Sequence, residues 1–276
     1  MAAVLFYLVA AAVGVAALVR AARVRASDNT QAGRAYVVLL AALAVTFTVM
    51  APPSQAWVNQ FVPDLFKLVG NCSTLIAAFS AQALMLYTSN PAPQATAKLR
   101  PRLVGLLVVL AVLVTMFFWP HPVVLTGSFD PYLALDPTLA VYTLAYALYL
   151  GLAAADITVG AWRFSRHTAR YLQVGLRVIA LAGALSAAYA AAKIMIVIER
   201  VTTGSREPTG NAAGVCHAAF GSPGCAVAVG LPAVTVLVLV VGVLLASGAT
   251  RLDRLHRWIG QYRAYRRLEP LWRHLH

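Results

Sequence analysis

Asp64, Lys67, Asn71, Thr74 and Gln82 stand at spacings of 3, 4, 3 and 8 in an otherwise apolar run. At about 100° per residue a helix gathers them into one stripe roughly 80° wide. A carboxylate, an ammonium, two amides and a hydroxyl on one face suit reversible binding of a small polar ligand or ion. They suit bond cleavage poorly, since no nucleophile is paired with a base. The plainer use of such a stripe is hydrogen bonding between helices. Tyr142, Tyr146, Tyr149 and Asp156 form a second stripe at offsets 0, 4, 7 and 14. Three hydroxyls thus lead to one carboxylate, whose expected partner is Arg177 in a structural ion pair. Ser186, Tyr189 and Lys193 share a third face. Lys193 has three open choices: snorkelling to the interface, pairing with Glu199, or meeting Asp64. If it meets Asp64, then Asp64, Lys67, Asn71, Tyr189 and Lys193 line an outward-opening polar pocket.

Such faces need helices to carry them, and the composition says in which solvent. The chain has 276 residues, 61% hydrophobic and only 11% charged, with a mean hydropathy of +0.75. Soluble domains carry about 25% charge. Runs of about 18 or more apolar residues read as membrane spans, and seven are expected, near 2–19, 35–50, 62–87, 103–119, 138–162, 172–198 and 226–249. The fold class is therefore an all-α membrane bundle of seven helices, spanning 1–250, followed by a basic segment at 251–276. The first run is read as a retained anchor, because its arginines follow the apolar stretch instead of preceding it.

Orientation follows from the cations. Arg20, Arg23, Arg25 and Arg34 follow the first span, Lys98, Arg100 and Arg102 the third, and Arg163, Arg166 and Arg170 the fifth. Seven more arginines lie in the tail, whereas the opposite loops hold Arg200 and Arg206. The positive-inside rule puts the N-terminus outside and the C-terminus in the cytoplasm of a multi-pass plasma-membrane protein. The formal charge of +13 is thereby assigned to cytoplasmic loops and tail rather than to nucleic-acid binding.

In the tail, Arg254, Arg257, Trp258, Arg263, Arg266, Arg267 and Trp272 interleave basic and aromatic side chains at helical spacing. This pattern suits an amphipathic helix on anionic lipid, or one docking a cytoplasmic protein. Cys216 and Cys225 flank "HAAFGSPG" in the longest exterior loop and are expected to form a disulfide. Cys72 reads as apolar packing. No metal or cofactor is expected. The seventh span has no lysine for a retinal Schiff base, and no histidine falls inside a span to ligate haem.

Together with the seven spans, the stretch "YRRLEPLWRHLH" resembles an actinobacterial family of seven-span membrane proteins usually labelled transporters. In that family an arginine-rich segment with a Leu-x-Pro-Leu-Trp pattern leads into a further cytoplasmic domain of unknown function. Leu268, Pro270, Leu271 and Trp272 carry the match, and this sequence stops where that domain would begin. The resemblance implies a class without a mechanism. The expected function is non-enzymatic: a membrane protein that binds or moves a small molecule between the third, fifth and sixth spans. A receptor-like domain signalling through its tail and a scaffold subunit are the alternatives.

Overall fold

The structure, a computed structural model, describes residues 2–26, 30–119, 136–203 apart from 167 and 169, and 231–245 apart from 233, 240, 243 and 244. The expected Cys216–Cys225 disulfide and the whole basic segment 251–276 lie outside the described residues.

Seven named helices follow one another: α1 Ala2–Ala26, α2 Gln31–Met50, α3 Pro52–Val58, α4 Leu65–Ser89, α5 Ala92–Phe118, α6 Pro137–Ser165 and α7 Arg170–Thr203. Residues within 231–245 are also helical, and among the described residues there is no strand. All but α3 are long and apolar enough to cross a membrane, the architecture of a multi-pass membrane protein. Large apolar side chains such as Leu8, Leu18, Leu107, Leu152 and Leu181 stay exposed on their outer faces, as expected where lipid replaces water as solvent.

Short connections make antiparallel neighbours. The α1–α2, α4–α5 and α6–α7 connections lie at one end, here called the basic end because Arg20, Arg23, Arg25, Lys98, Arg100, Arg163 and Arg166 cluster around it. At this end the Arg20 guanidinium sits 5.8 Å from the Tyr36 ring centroid. Leu68 and Leu75 of α4, Leu106 and Leu113 of α5, and Tyr142 and Leu150 of α6 form the central core.

The α6–α7 contact is built differently. Gly151, Ala154 and Thr158 of α6 meet a surface of α7 that includes Gly183 and Ala190. A Cβ added at Gly183 would collide with the Thr158 hydroxyl and lie 3.2 Å from the Ala154 carbonyl oxygen. Only glycine permits that approach, and small residues are how helices associate in lipid. Gly242 repeats the device, since a Cβ there would lie 3.0 Å from the Ile179 backbone nitrogen. The 231–245 helix is thereby brought against α7.

Two departures from the expected elements matter. The third span does not begin at 62: α3 intervenes, and Asp64 turns the chain with φ 61° before α4 starts. The fourth span begins eleven residues before the expected 103, at Ala92, and runs through Pro101. Proline removes one backbone bond, but Asn90-Pro91 supplies a start signal that the charged residues after it obscure.

Candidate functional site

The two long polar stripes face each other. The Asn71 amide donates to the Tyr142 hydroxyl at 3.0 Å, and the Gln82 amide donates to the Asp156 carboxylate at 3.0 Å. Partner numbers rise together along both chains, so α4 and α6 run parallel. The two helices are joined by a polar seam from the far end to the basic end.

At the far end Asp64 accepts an ion pair from Lys67 at 2.6 Å, one turn along its own helix. The Asp64 backbone N–H donates to the Asn59 side chain at 3.1 Å, so the corner before α4 is held from both sides. Lys193 is half-buried on α7, which packs along α6, and no ion pair joins it to Asp64. The residues expected to line an outward pocket are divided between the start of α4, which carries Asp64, Lys67 and Asn71, and α7, which carries Tyr189 and Lys193. Asp64 and Lys67 neutralise each other, and Asn71 is taken up by Tyr142. Tyr189 packs against the central core and approaches Tyr146 closely enough to act on it electrostatically.

At the basic end the structure gives Asp156 a partner other than the expected Arg177. Arg102 of α5 reaches the same carboxylate oxygen at 3.0 Å that accepts the Gln82 amide. Arg177 instead lies 5.8 Å from the Trp162 ring centroid. The reason is helical phase: Asp156 is on the α4- and α5-facing side of α6, whereas α7 packs on the small-residue side. The sequence pattern puts Arg102 among loop cations, and only the early start of α5 places it on a helix at the depth of Asp156.

This cluster is partly satisfied and partly open. Gln82 is 5% exposed, whereas the side chains of Arg102 and Asp156 are 32% and 47% exposed. The second amide atom of Gln82, its carbonyl Oε1, is buried without a hydrogen-bond partner, and so is the Tyr149 hydroxyl. Arg102 acts electrostatically on that hydroxyl. Buried polar atoms without partners are uncommon in proteins and mark places where water or a ligand can complete the set. Arg102, Gln82, Tyr149 and Asp156 thus combine a cation, a carboxylate, a free acceptor and a free hydroxyl, with an open side.

The Thr143 hydroxyl of α6 is likewise buried without a partner, whereas several other hydroxyls are satisfied by their own helices. Thr74 donates to the Gly70 carbonyl at 2.8 Å, Ser80 to Ile76 at 2.7 Å, and Thr158 to Ala154 at 2.8 Å. Such i to i−4 bonds are ordinary for serine and threonine in apolar helices, so Thr74 is a structural member of the seam. Among the described residues no group of three or more His, Cys, Asp or Glu could hold a metal ion. No protein family, curated protein or solved structure matches the chain.

Proposed function

We propose that the chain is a seven-span protein of the bacterial plasma membrane that binds or moves a small polar molecule at the basic end of the α4–α6 seam, without enzymatic chemistry. The 231–245 helix would be the seventh span. The positive-inside rule would place the N-terminus outside and the basic end at the cytoplasm. The resemblance of its arginine-rich tail to a transporter-labelled actinobacterial family agrees with this reading. The observation that carries it is the pair of unpartnered atoms, Gln82 Oε1 and Tyr149 OH, beside the half-open Arg102–Asp156 pair. Ionisable groups in a span are costly and point to a ligand path or a water-filled cavity. The cluster presents both signs of charge, so a small zwitterion complements it better than an ion of one sign. The carboxylate of such a molecule would meet Arg102, and its ammonium would meet Asp156 and the Gln82 carbonyl.

A scaffold role is the second reading, favoured by the Asn71–Tyr142 and Lys67–Asp64 pairs, which leave the far half of the seam occupied. One experiment separates the two. Purified protein is melted in the presence of amino acids, dicarboxylates, polyamines and sugars. An amino acid should raise the melting temperature of the wild type and not that of Arg102→Gln. No shift from any class, together with a more stable Gln82→Leu/Tyr149→Phe variant, would mean a dry seam and a scaffold.

A further inference from the structure

Trp162 and two arginines form a group that the seam leaves unused. The Arg166 guanidinium lies 5.9 Å from the Trp162 ring centroid, and that of Arg177 lies 5.8 Å from it. Within α6, Ala161 and Ser165 are buried, at 0% and 1%. Their burial fixes the phase of the helix end, so Trp162, Arg163 and Arg166 are turned outward. Arg166 is the residue at which α6 ends, where a helix C-terminus favours positive charge. Arg177 enters from the other side of the hairpin. It lies seven residues into α7, about 10 Å along the helix axis.

Among the described residues no carboxylate pairs with Arg166 or Arg177; the ion pairs there are Lys67–Asp64 and Arg102–Asp156. An exposed guanidinium at the depth of Arg177 is costly unless it reaches a counter-charge at the interface. Indole is the side chain best suited to that level of a membrane. Its ring face attracts a guanidinium lying within about 6 Å, which leaves the N–H donors available to an oxyanion. The nearest anions on the outer surface of a membrane-spanning hairpin are the phosphates of the surrounding lipid.

We propose that Trp162, Arg166 and Arg177 bind the headgroup phosphate of an anionic phospholipid. One indole aligns two guanidiniums toward the same stretch of interface, and the phosphate takes the place of the missing carboxylate. The site does not depend on the ligand reading of the α4–α6 seam. Only its assignment to the cytoplasmic leaflet rests on the orientation proposed above.

The test is native mass spectrometry of the purified full chain titrated with phosphatidylglycerol or phosphatidylcholine. The wild type should retain phosphatidylglycerol in preference. Arg166→Gln/Arg177→Gln should weaken that retention about 30-fold, as two basic residues at an anionic surface imply, and leave phosphatidylcholine unchanged. Arg166→Lys/Arg177→Lys keeps the charge and loses the forked guanidinium donors that match a phosphate, so it should fall between the two. Arg25→Gln removes an exposed cation with no aromatic contact among the described residues, and it should behave as wild type. Equal retention of both lipids by the wild type would overturn the proposal. So would undiminished phosphatidylglycerol retention in the glutamine variant, or in a folded Lys variant losses as large as those of the glutamine one with Arg25→Gln equally affected.

Discussion

The two sides of α6 are held by opposite means. Toward α7 it offers Gly151, Ala154 and Thr158, and the backbones close until Gly183 has no room for a Cβ. Toward α4 it offers Tyr142, Tyr146 and Asp156, and the gap is bridged by side-chain hydrogen bonds. In lipid there is little hydrophobic gain from helix contact, so association comes from close packing or from polar pairs. Close packing leaves no space between helices. Bridging by long side chains keeps the backbones apart, and only there can atoms such as Gln82 Oε1 stay unpartnered. One helix thus carries a rigid joint on one face and the capacity for a site on the other.

The largest effect should come from the rigid joint. Gly183→Leu forces a side chain into Thr158 and the Ala154 carbonyl, and overpacking of this kind costs about 3 kcal/mol. Unfolding monitored in mixed micelles should show the loss, while Gly183→Ala should show a smaller one. If Gly183→Leu melts like the wild type, the two faces do not differ as described.

Smaller effects should follow along the seam. A double-mutant cycle on Asn71→Leu and Tyr142→Phe should return a coupling of about 0.6 to 1.7 kcal/mol, the range for hydrogen bonds between membrane helices. Arg102 and Asp156 are partly exposed, so their cycle should give less, about 0.2 to 1 kcal/mol, and shrink in high salt. The same cycle on Asp156 and Arg177 should show additive single variants, because Arg177 belongs to Trp162. Coupling between Asp156 and Arg177 would restore the pairing that spacing alone suggests.

Much of this was legible beforehand because the physics of a span is local. Twenty apolar residues have few places to go, and six of the seven expected runs coincide with helices long enough to cross a membrane. The polar faces of α4 and α6 were also readable from periodicity. Which residue on one face meets which on the other was not, because that depends on the rotation of whole helices about their axes. Arg177 sits at a depth fitting Asp156, yet it projects from a helix packed on the wrong side of α6. Arg102 was hidden by a second cause. Lys98, Arg100, Pro101 and Arg102 read as a loop, and only the observed helix makes them the first turns of α5. Thr74 shows the reverse error: a hydroxyl on the right face whose proton goes to its own backbone.

The corner at Asp64 has a consequence for how the chain tolerates change. With φ 61° it occupies a backbone region that asparagine, aspartate and glycine enter readily and branched side chains do not. It is also where the count of α4 begins. A helix indexes its side chains by number, each step turning the next by about 100°. A single inserted or deleted residue between this corner and Asn71 would therefore offset the teeth of α4 against those of α6. Asn71 and Gln82 would then come round at different times from Tyr142 and Asp156. The residues of the seam could all be kept and the seam still lost, so sequence drift in this region should run through substitution and spare the length.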